Sequence, residues 1–163
     1  MRLEKVIAIR NNKTIYRDND RAIKVFNEDF SKADILNEAL NQARAEETGL
    51  NVPKVLEVAT VEGKWAIVSE FIPGKPLSQI MAEAPERKEE FLARLVDIQL
   101  AMHSRKAPLM NKLWDKMNRK IEQTDLDAST RFDLHTRLAA MPKHHKLCHG
   151  DFNPSNIIIT PDD

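Results

Sequence analysis

The sequence predicts an α+β fold in which an antiparallel sheet comes first and helices follow. Three observations carry this. Short β-branched runs separated by turn formers fill residues 1–72, interrupted by one helical pattern. Pro73-Gly74, with Pro76 close behind, then breaks the chain. Beyond the break, apolar residues recur at the helical period.

Val6-Ile7-Ala8-Ile9 and Thr14-Ile15-Tyr16 read as two strands separated by Asn11-Asn12. Asp18-Asn19-Asp20 turns the chain into Arg21-Ala22-Ile23-Lys24-Val25-Phe26. There Ala22, Lys24 and Phe26 share one face, and Ile23 and Val25 the other. Lys24 is thus a charge inside an apolar strand. Two readings of it stand: an edge-strand lysine that discourages aggregation, or a functional cation. Ser31-Lys32-Ala33-Asp34 resembles a capping box and opens a helix that runs to about residue 47. Leu36, Ala39, Leu40 and Ala43 are its expected apolar stripe, with Gly49 as its stop. Glu38 flanks that stripe and, taken alone, reads as a solvated helix acid. Residues 55–61 and 64–71 are two further strands joined by the hairpin turn Glu62-Gly63.

Pro85 suits the first turn of a helix over residues 86–104. Phe91, Leu92, Leu95, Val96, Gln99 and Met102 follow the helical period, which predicts a core helix with a packed His103 beside its stripe. Leu113, Trp114, Met117 and Ile121 mark another amphipathic helix, and residues 132–140 a third. Met and Trp at this spacing are expected to form core.

Composition narrows the function classes. The 163 residues suffice for one domain or two small lobes, and 42% hydrophobic with 31% charged residues is globular rather than disordered. Lys plus Arg and Asp plus Glu are both 25, so net charge argues against a nucleic-acid binder or a polybasic membrane binder. Cys148 is the one cysteine, which leaves no intrachain disulfide and no cysteine zinc site. No apolar run has the length of a membrane span, and the first residues do not resemble a signal peptide, so a cytoplasmic setting is expected.

The chemistry concentrates in Leu147-Cys148-His149-Gly150-Asp151-Phe152-Asn153-Pro154-Ser155-Asn156. Ile157-Ile158-Ile159 follows and reads as a buried strand. Pro154 lies between Asp151 and Asn156, so the backbone turns rather than continuing a helix. One carboxylate to orient a hydroxyl and one amide oxygen for a hard cation are what phosphoryl transfer asks of a loop. Asp151 and Asn156 have the D-x-x-x-x-N spacing of kinase catalytic loops. A structural turn held by Asx bonds is the other reading of these two residues, and for His149 a loop-fixing role is favoured.

His149-Gly150-Asp151 followed by Asn156 resembles the catalytic loop of the aminoglycoside phosphotransferase and choline kinase-like family of small-molecule kinases. Ala22-Ile23-Lys24-Val25 resembles that family's strand lysine, and Glu38 the helix acid that pairs with it, followed by Val52-Pro53-Lys54-Val55. Ser69-Glu70-Phe71-Ile72-Pro73-Gly74 resembles the hinge, and Leu100-Ala101-Met102-His103-Ser104 the end of the long helix of the second lobe.

The resemblance implies a protein-kinase-like fold. Residues 1–72 form an N-lobe of five antiparallel strands and one helix, with the hinge at 69–74. Residues 73–163 form a partial, mostly helical catalytic lobe. It also implies transfer of the γ-phosphoryl of ATP or GTP to a hydroxyl of a small polar molecule. Asp151 would act on the hydroxyl proton, Asn156 would hold Mg²⁺, Lys24 positioned by Glu38 would bind phosphate, and the backbone of Glu70, Phe71 and Ile72 would meet adenine.

Two departures bear on this. The family's donor-phosphate turn often contains glycine, but Arg10-Asn11-Asn12-Lys13 has none. The chain also stops at Thr160-Pro161-Asp162-Asp163, where the family continues into a hairpin whose next strand bears a second metal-binding aspartate. The sequence therefore reads as the N-terminal portion of a longer kinase, inactive or impaired as this 163-residue chain, and neither Asp162 nor Asp163 is assigned that role. A nucleotide-binding, pseudokinase-like module without catalysis is the alternative. Metal-dependent hydrolysis by His144, His145, His149 and Asp151 is disfavoured, because adjacent histidines point opposite ways on a strand and no HExxH spacing occurs.

Overall fold

Alternation along Arg21–Phe26 (β3) sets the architecture, because this strand buries side chains on both faces. In the computed structural model, which describes Leu3 and residues 5–143 and 145–161, β3 is the middle strand of an antiparallel sheet. The other strands are β1 (Lys5–Arg10), β2 (Lys13–Asp18), β4 (Val55–Val61) and β5 (Lys64–Glu70), in the order β1-β2-β3-β5-β4. His144, Asp162 and Asp163 lie outside the described residues, as do Met1, Arg2 and Glu4. The strand pattern and the single inserted helix, α1 (Lys32–Glu47), agree with the α+β expectation. Glu62 (φ 51°) and Gly63 (φ 78°) are both left-handed, as a two-residue hairpin turn matched to strand twist requires.

Each face of β3 has its own core. Ile23 and Val25 pack with Ala66 and Val68, under Leu3, Tyr16 and Val61. On the opposite face Phe26 packs with Ile67 and with Ile35 and Ala39 of α1. Lys24 lies on this second face, opposite Ile15 of β2 and Ile67 of β5. It is therefore on an interior strand, which removes the edge-strand reading of this lysine.

The stripe expected on α1 needs correction. Ile35 and Ala39 are buried, whereas Leu36 and Leu40 are 46% and 48% exposed. The inward face runs through Ile35, Glu38, Ala39 and Gln42, one residue out of step with the leucines. Glu38 meets Lys24, and Gln42 Nε2 donates to Pro53 O at 2.8 Å. Two polar contacts thus set the rotation of the helix. Its start is as expected. Ser31 Oγ accepts from the Asp34 N–H at 3.2 Å, and the Ser31 N–H donates to Asp34 Oδ2 at 3.1 Å. Hydrogen bonds from Ser31 hold the Asp34 carboxyl below its usual value. This cap is therefore intact above the ordinary carboxylate range and is lost as pH falls through the lowered value.

After β5 the chain forms β6 (Lys75–Pro76), α2 (Leu77–Glu83), a 3₁₀ turn (Pro85–Arg87) and α3 (Lys88–His103). These are followed by α4 (Leu113–Glu122), α5 (Ala128–Ala140), a second 3₁₀ turn (Pro154–Asn156) and β7 (Ile158–Ile159). The sequence reading passed over α2, which is short and lies just behind Pro73 and Pro76. Its Leu77 is completely buried. On α3 only Phe91 and Met102 are buried, while Val96 is 49% exposed, so the expected core helix uses its two ends. Leu113, Trp114 and Met117 of α4 are also exposed, because among the described residues α4 packs chiefly on α5. The His135 ring joins these two helices, lying 2.7 Å from Asn118 Oδ1 and 2.8 Å from Glu122 Oε1. No described helix is long and apolar enough to cross a membrane.

The expected buried strand at 157–159 is instead a two-residue strand with Ile158 40% exposed. It pairs with β6 through Lys75↔Ile159 and Pro76↔Ile158, and the Leu77 N–H donates to Ile157 O at 2.9 Å. The late loop is thus tied to the segment that leaves the sheet. Gly74 permits this approach, since a Cβ there would lie 2.7 Å from Ile158 Cγ2 and 3.0 Å from the Ile159 carbonyl carbon.

Two predictions follow from this packing. Phe26→Ala should lower unfolding free energy by about 3–5 kcal/mol, whereas Leu40→Ala should change it by about 0.5 kcal/mol or less, both by denaturant titration. Gly74→Ala should raise amide hydrogen exchange at residues 157–159 and leave exchange in β3 unchanged.

Candidate active site

Two groups of side chains make up the candidate site, one on the sheet and one on the late loop. On the sheet, Lys24 Nζ donates to Glu38 Oε1 at 2.9 Å, with the two side chains 25% and 36% exposed. A pair this open to water contributes at most about 1 kcal/mol to stability. Its worth is positional: it holds an ammonium group on the α1 face of the sheet. Lys13 Nζ lies 3.8 Å from the same carboxylate oxygen.

The loop after Leu147, which is buried, presents Asp151 at the surface. The turn is made at Gly150, whose φ of 85° favours glycine. His149 bonds back to the loop, its Nδ1 accepting from the Asp151 N–H at 3.2 Å, which places the neutral ring's proton on Nε2. Asp151 is gripped by two amides. Asn153 Nδ2 donates to Asp151 O and Oδ1, both at 3.1 Å, and Asn156 Nδ2 donates to Asp151 O and Oδ2, both at 2.9 Å. Asn153 also caps the 3₁₀ turn, its Oδ1 accepting from the Ser155 N–H at 3.0 Å.

These bonds fix one carboxylate in one orientation while leaving it exposed. They also direct Asn156 Oδ1 away from Asp151, and among the described residues nothing donates to it. A free, hard amide oxygen beside a carboxylate suits Mg²⁺, which takes few protein ligands and fills its shell with phosphate oxygens and water. Among the described residues no group of three or more His, Cys, Asp or Glu side chains could hold a metal. His144, one of the four residues of the hydrolytic reading, lies outside the described residues.

In the segment leaving β5, the Glu70 N–H donates to Lys54 O at 2.9 Å and the Phe71 N–H to Asp20 O at 2.8 Å. The Arg17 guanidinium lies 4.1 Å from the Phe71 ring centroid. Of the three expected hinge amides, the Ile72 N–H is the one without an acceptor among the described residues.

The structure thus pairs Lys24 with Glu38 and Asp151 with Asn156, and ties the 70–77 segment to the loop through β6 and β7. Among the described residues no hydrogen bond or ion pair joins the two pairs to each other. Sequence reasoning gave Asn153 and Lys13 no role of their own within the stretches that contain them, and read Gly74 as a chain break in the hinge rather than as a point of close approach. Asn153 had a signal in its place two residues after Asp151 and before Pro154, where an Asx side chain closes a turn. Gly74 had the Pro-Gly break as its signal, and Lys13 only its place at the end of the Asn11-Asn12 turn.

Residues 8–163 match the Phosphotransferase enzyme family (APH). No curated protein matches the chain. Among solved structures the chain is similar to WbdD co-crystallised with a kinase inhibitor, at 13% identity and a TM-score of 0.36. That similarity covers 83% of this chain and 45% of the other, so this chain spans less than half of that relative's length. With a match that takes in nearly all of its residues, the chain belongs to the phosphotransferase enzyme family.

Proposed function

We propose that the protein transfers the γ-phosphoryl group of ATP, or GTP, to a hydroxyl of a small polar molecule. The observation that carries this is the exposed Asp151 carboxylate, held by two asparagine amides, in a chain that also holds the Lys24–Glu38 pair. Family membership supports the same reaction class.

The loose transition state of phosphoryl transfer asks for positioning and charge neutralisation more than covalent chemistry. In this reading residues 1–72 are the nucleotide lobe and residues 73–163 part of the catalytic lobe. Lys24, aimed by Glu38, binds donor phosphate oxygens. The Ile72 N–H meets the base, since the amides of Glu70 and Phe71 already have acceptors. Asp151 orients the acceptor hydroxyl and takes its proton through the lone pairs that the asparagine amides leave open. Asn156 would hold Mg²⁺ through Oδ1, and that group would supply charge neutralisation at the phosphates. The acceptors used by the resembling kinases are aminoglycosides, choline, amino-acid alcohols and sugars, and one of these classes is the expected substrate.

The test is phosphate transfer by the full chain with Mg²⁺-ATP across those four acceptor classes. Asp151→Asn should lower kcat about 10²–10⁴-fold where general-base catalysis applies and leave the ATP-induced rise in melting temperature intact. Retention of most activity in that variant would remove Asp151 from the role. Lys24→Met should weaken ATP binding about tenfold or more, as loss of a charged hydrogen bond does, by calorimetric titration. A melting-temperature rise with ATP and Mg²⁺ but no turnover with any acceptor would instead identify a nucleotide-binding module without catalysis.

A further inference from the structure

The Asn11-Asn12 turn between β1 and β2 lacks glycine, so its backbone is poorly suited to cradling phosphates with its own amides. It is braced instead by Asn27, the residue that follows β3. The Asn27 N–H donates to Asn12 O at 3.0 Å and Asn27 Nδ2 to Asn11 O at 3.2 Å.

Lys13, the first residue after this turn, stands opposite Phe26 in the ladder. Its Nζ lies 5.5 Å from the Phe26 ring centroid, and Lys24 Nζ lies 6.0 Å from the same centroid. The two ammonium groups therefore share one face of the sheet and one carboxylate.

Their distances to Glu38 Oε1 separate their roles. At 2.9 Å Lys24 is hydrogen-bonded, while at 3.8 Å Lys13 is beyond hydrogen-bond reach and is held by charge alone. One carboxylate also cannot neutralise two ammonium groups. Among the described residues the cluster keeps an excess positive charge, and both lysines stay open to solvent at 26% and 25%. A partly shielded, uncompensated cation beside an ion pair is a place for an anion.

We propose that Lys13 is a second phosphate-binding residue, which turns from Glu38 onto the phosphate chain of the nucleotide donor. It supplies with a side chain what a glycine-rich turn supplies with backbone amides. This inference rests on the assignment of Lys24 to the donor phosphates.

The experiment is calorimetric titration of the full chain with ATP and with adenosine, in Mg²⁺, for the unaltered protein and for Lys13→Gln, Lys13→Arg and Lys24→Met. Lys13→Gln should weaken ATP about tenfold, the loss expected of one charged hydrogen bond. It should leave adenosine affinity and the ligand-free melting temperature unchanged, and Lys13→Arg should restore most of the ATP affinity. Equal loss for ATP and adenosine, or no loss for ATP, would overturn the role of Lys13. Weakening by Lys24→Met but not by Lys13→Gln would remove Lys13 alone. An unaltered protein that binds ATP no better than adenosine would remove both assignments.

Discussion

A lysine on an interior strand needs a counter-charge, and much of the sheet region is arranged around that need. Lys24 cannot leave its face of β3 without exchanging places with Ile23 and Val25, because strand alternation is strict. Its neighbours on that face, Ile15, Phe26 and Ile67, are apolar. The carboxylate must come from outside the sheet, and Glu38 of α1 supplies it. Once Glu38 faces Lys24, the helix has one rotation left, with Ile35 and Ala39 directed into the core beside it. Leu36 and Leu40 are turned outward as a consequence.

The late loop answers a different constraint: an exposed carboxylate has to be held still without being covered. Burial would restrict an aspartate but would also favour its neutral form. Here the restraint comes from the side. Asn153 and Asn156 each bond both the backbone carbonyl and one carboxylate oxygen of Asp151, and the His149 ring anchors the amide of the same residue. The 3₁₀ turn, capped by Asn153, sets both asparagines at once. Rigidity then passes to the rest of the chain through β7, β6 and the buried Leu77. The close contact at Gly74 puts this loop beside the strand exit, which is how a site late in the sequence is tied to a segment near its middle.

Much of this was legible in the residues. Five strands, the capping box at Ser31 and the D-x-x-x-x-N loop all have local signals that tertiary packing did not overrule. The failures share a cause. On α1 the leucines look like the core stripe because hydrophobicity is what a periodicity argument counts, yet the inward face is half polar. On α3 and α4 the period is real, but periodicity cannot say what lies across from it, and Val96 and Leu113 have little over them among the described residues. At 157–159 three isoleucines suggested burial, whereas only two of them form a strand, against a two-residue partner. The edge-strand reading of Lys24 failed because strand order is a tertiary fact that β3's own residues do not encode.

The same polar stripe on α1 joins the fold to the chemistry. A helix rotated to bury Leu36 and Leu40 would gain apolar area but would carry Glu38 away from Lys24, leaving an ammonium on an interior strand without a partner. With the two side chains 25% and 36% exposed, the pair is worth at most about 1 kcal/mol, so its part is to aim the two groups at each other while Ile35 and Ala39 fill the core beside them. The Gln42 bond to Pro53 O adds to the preference by linking α1 to the segment before β4. The register of the helix thus satisfies both at once, with Ile35 and Ala39 in the core and Glu38 and Gln42 at their polar partners. This arrangement brings Lys13 and Lys24 to one carboxylate on the α1 face of the sheet, which is the geometry that the proposed phosphate contacts rest on.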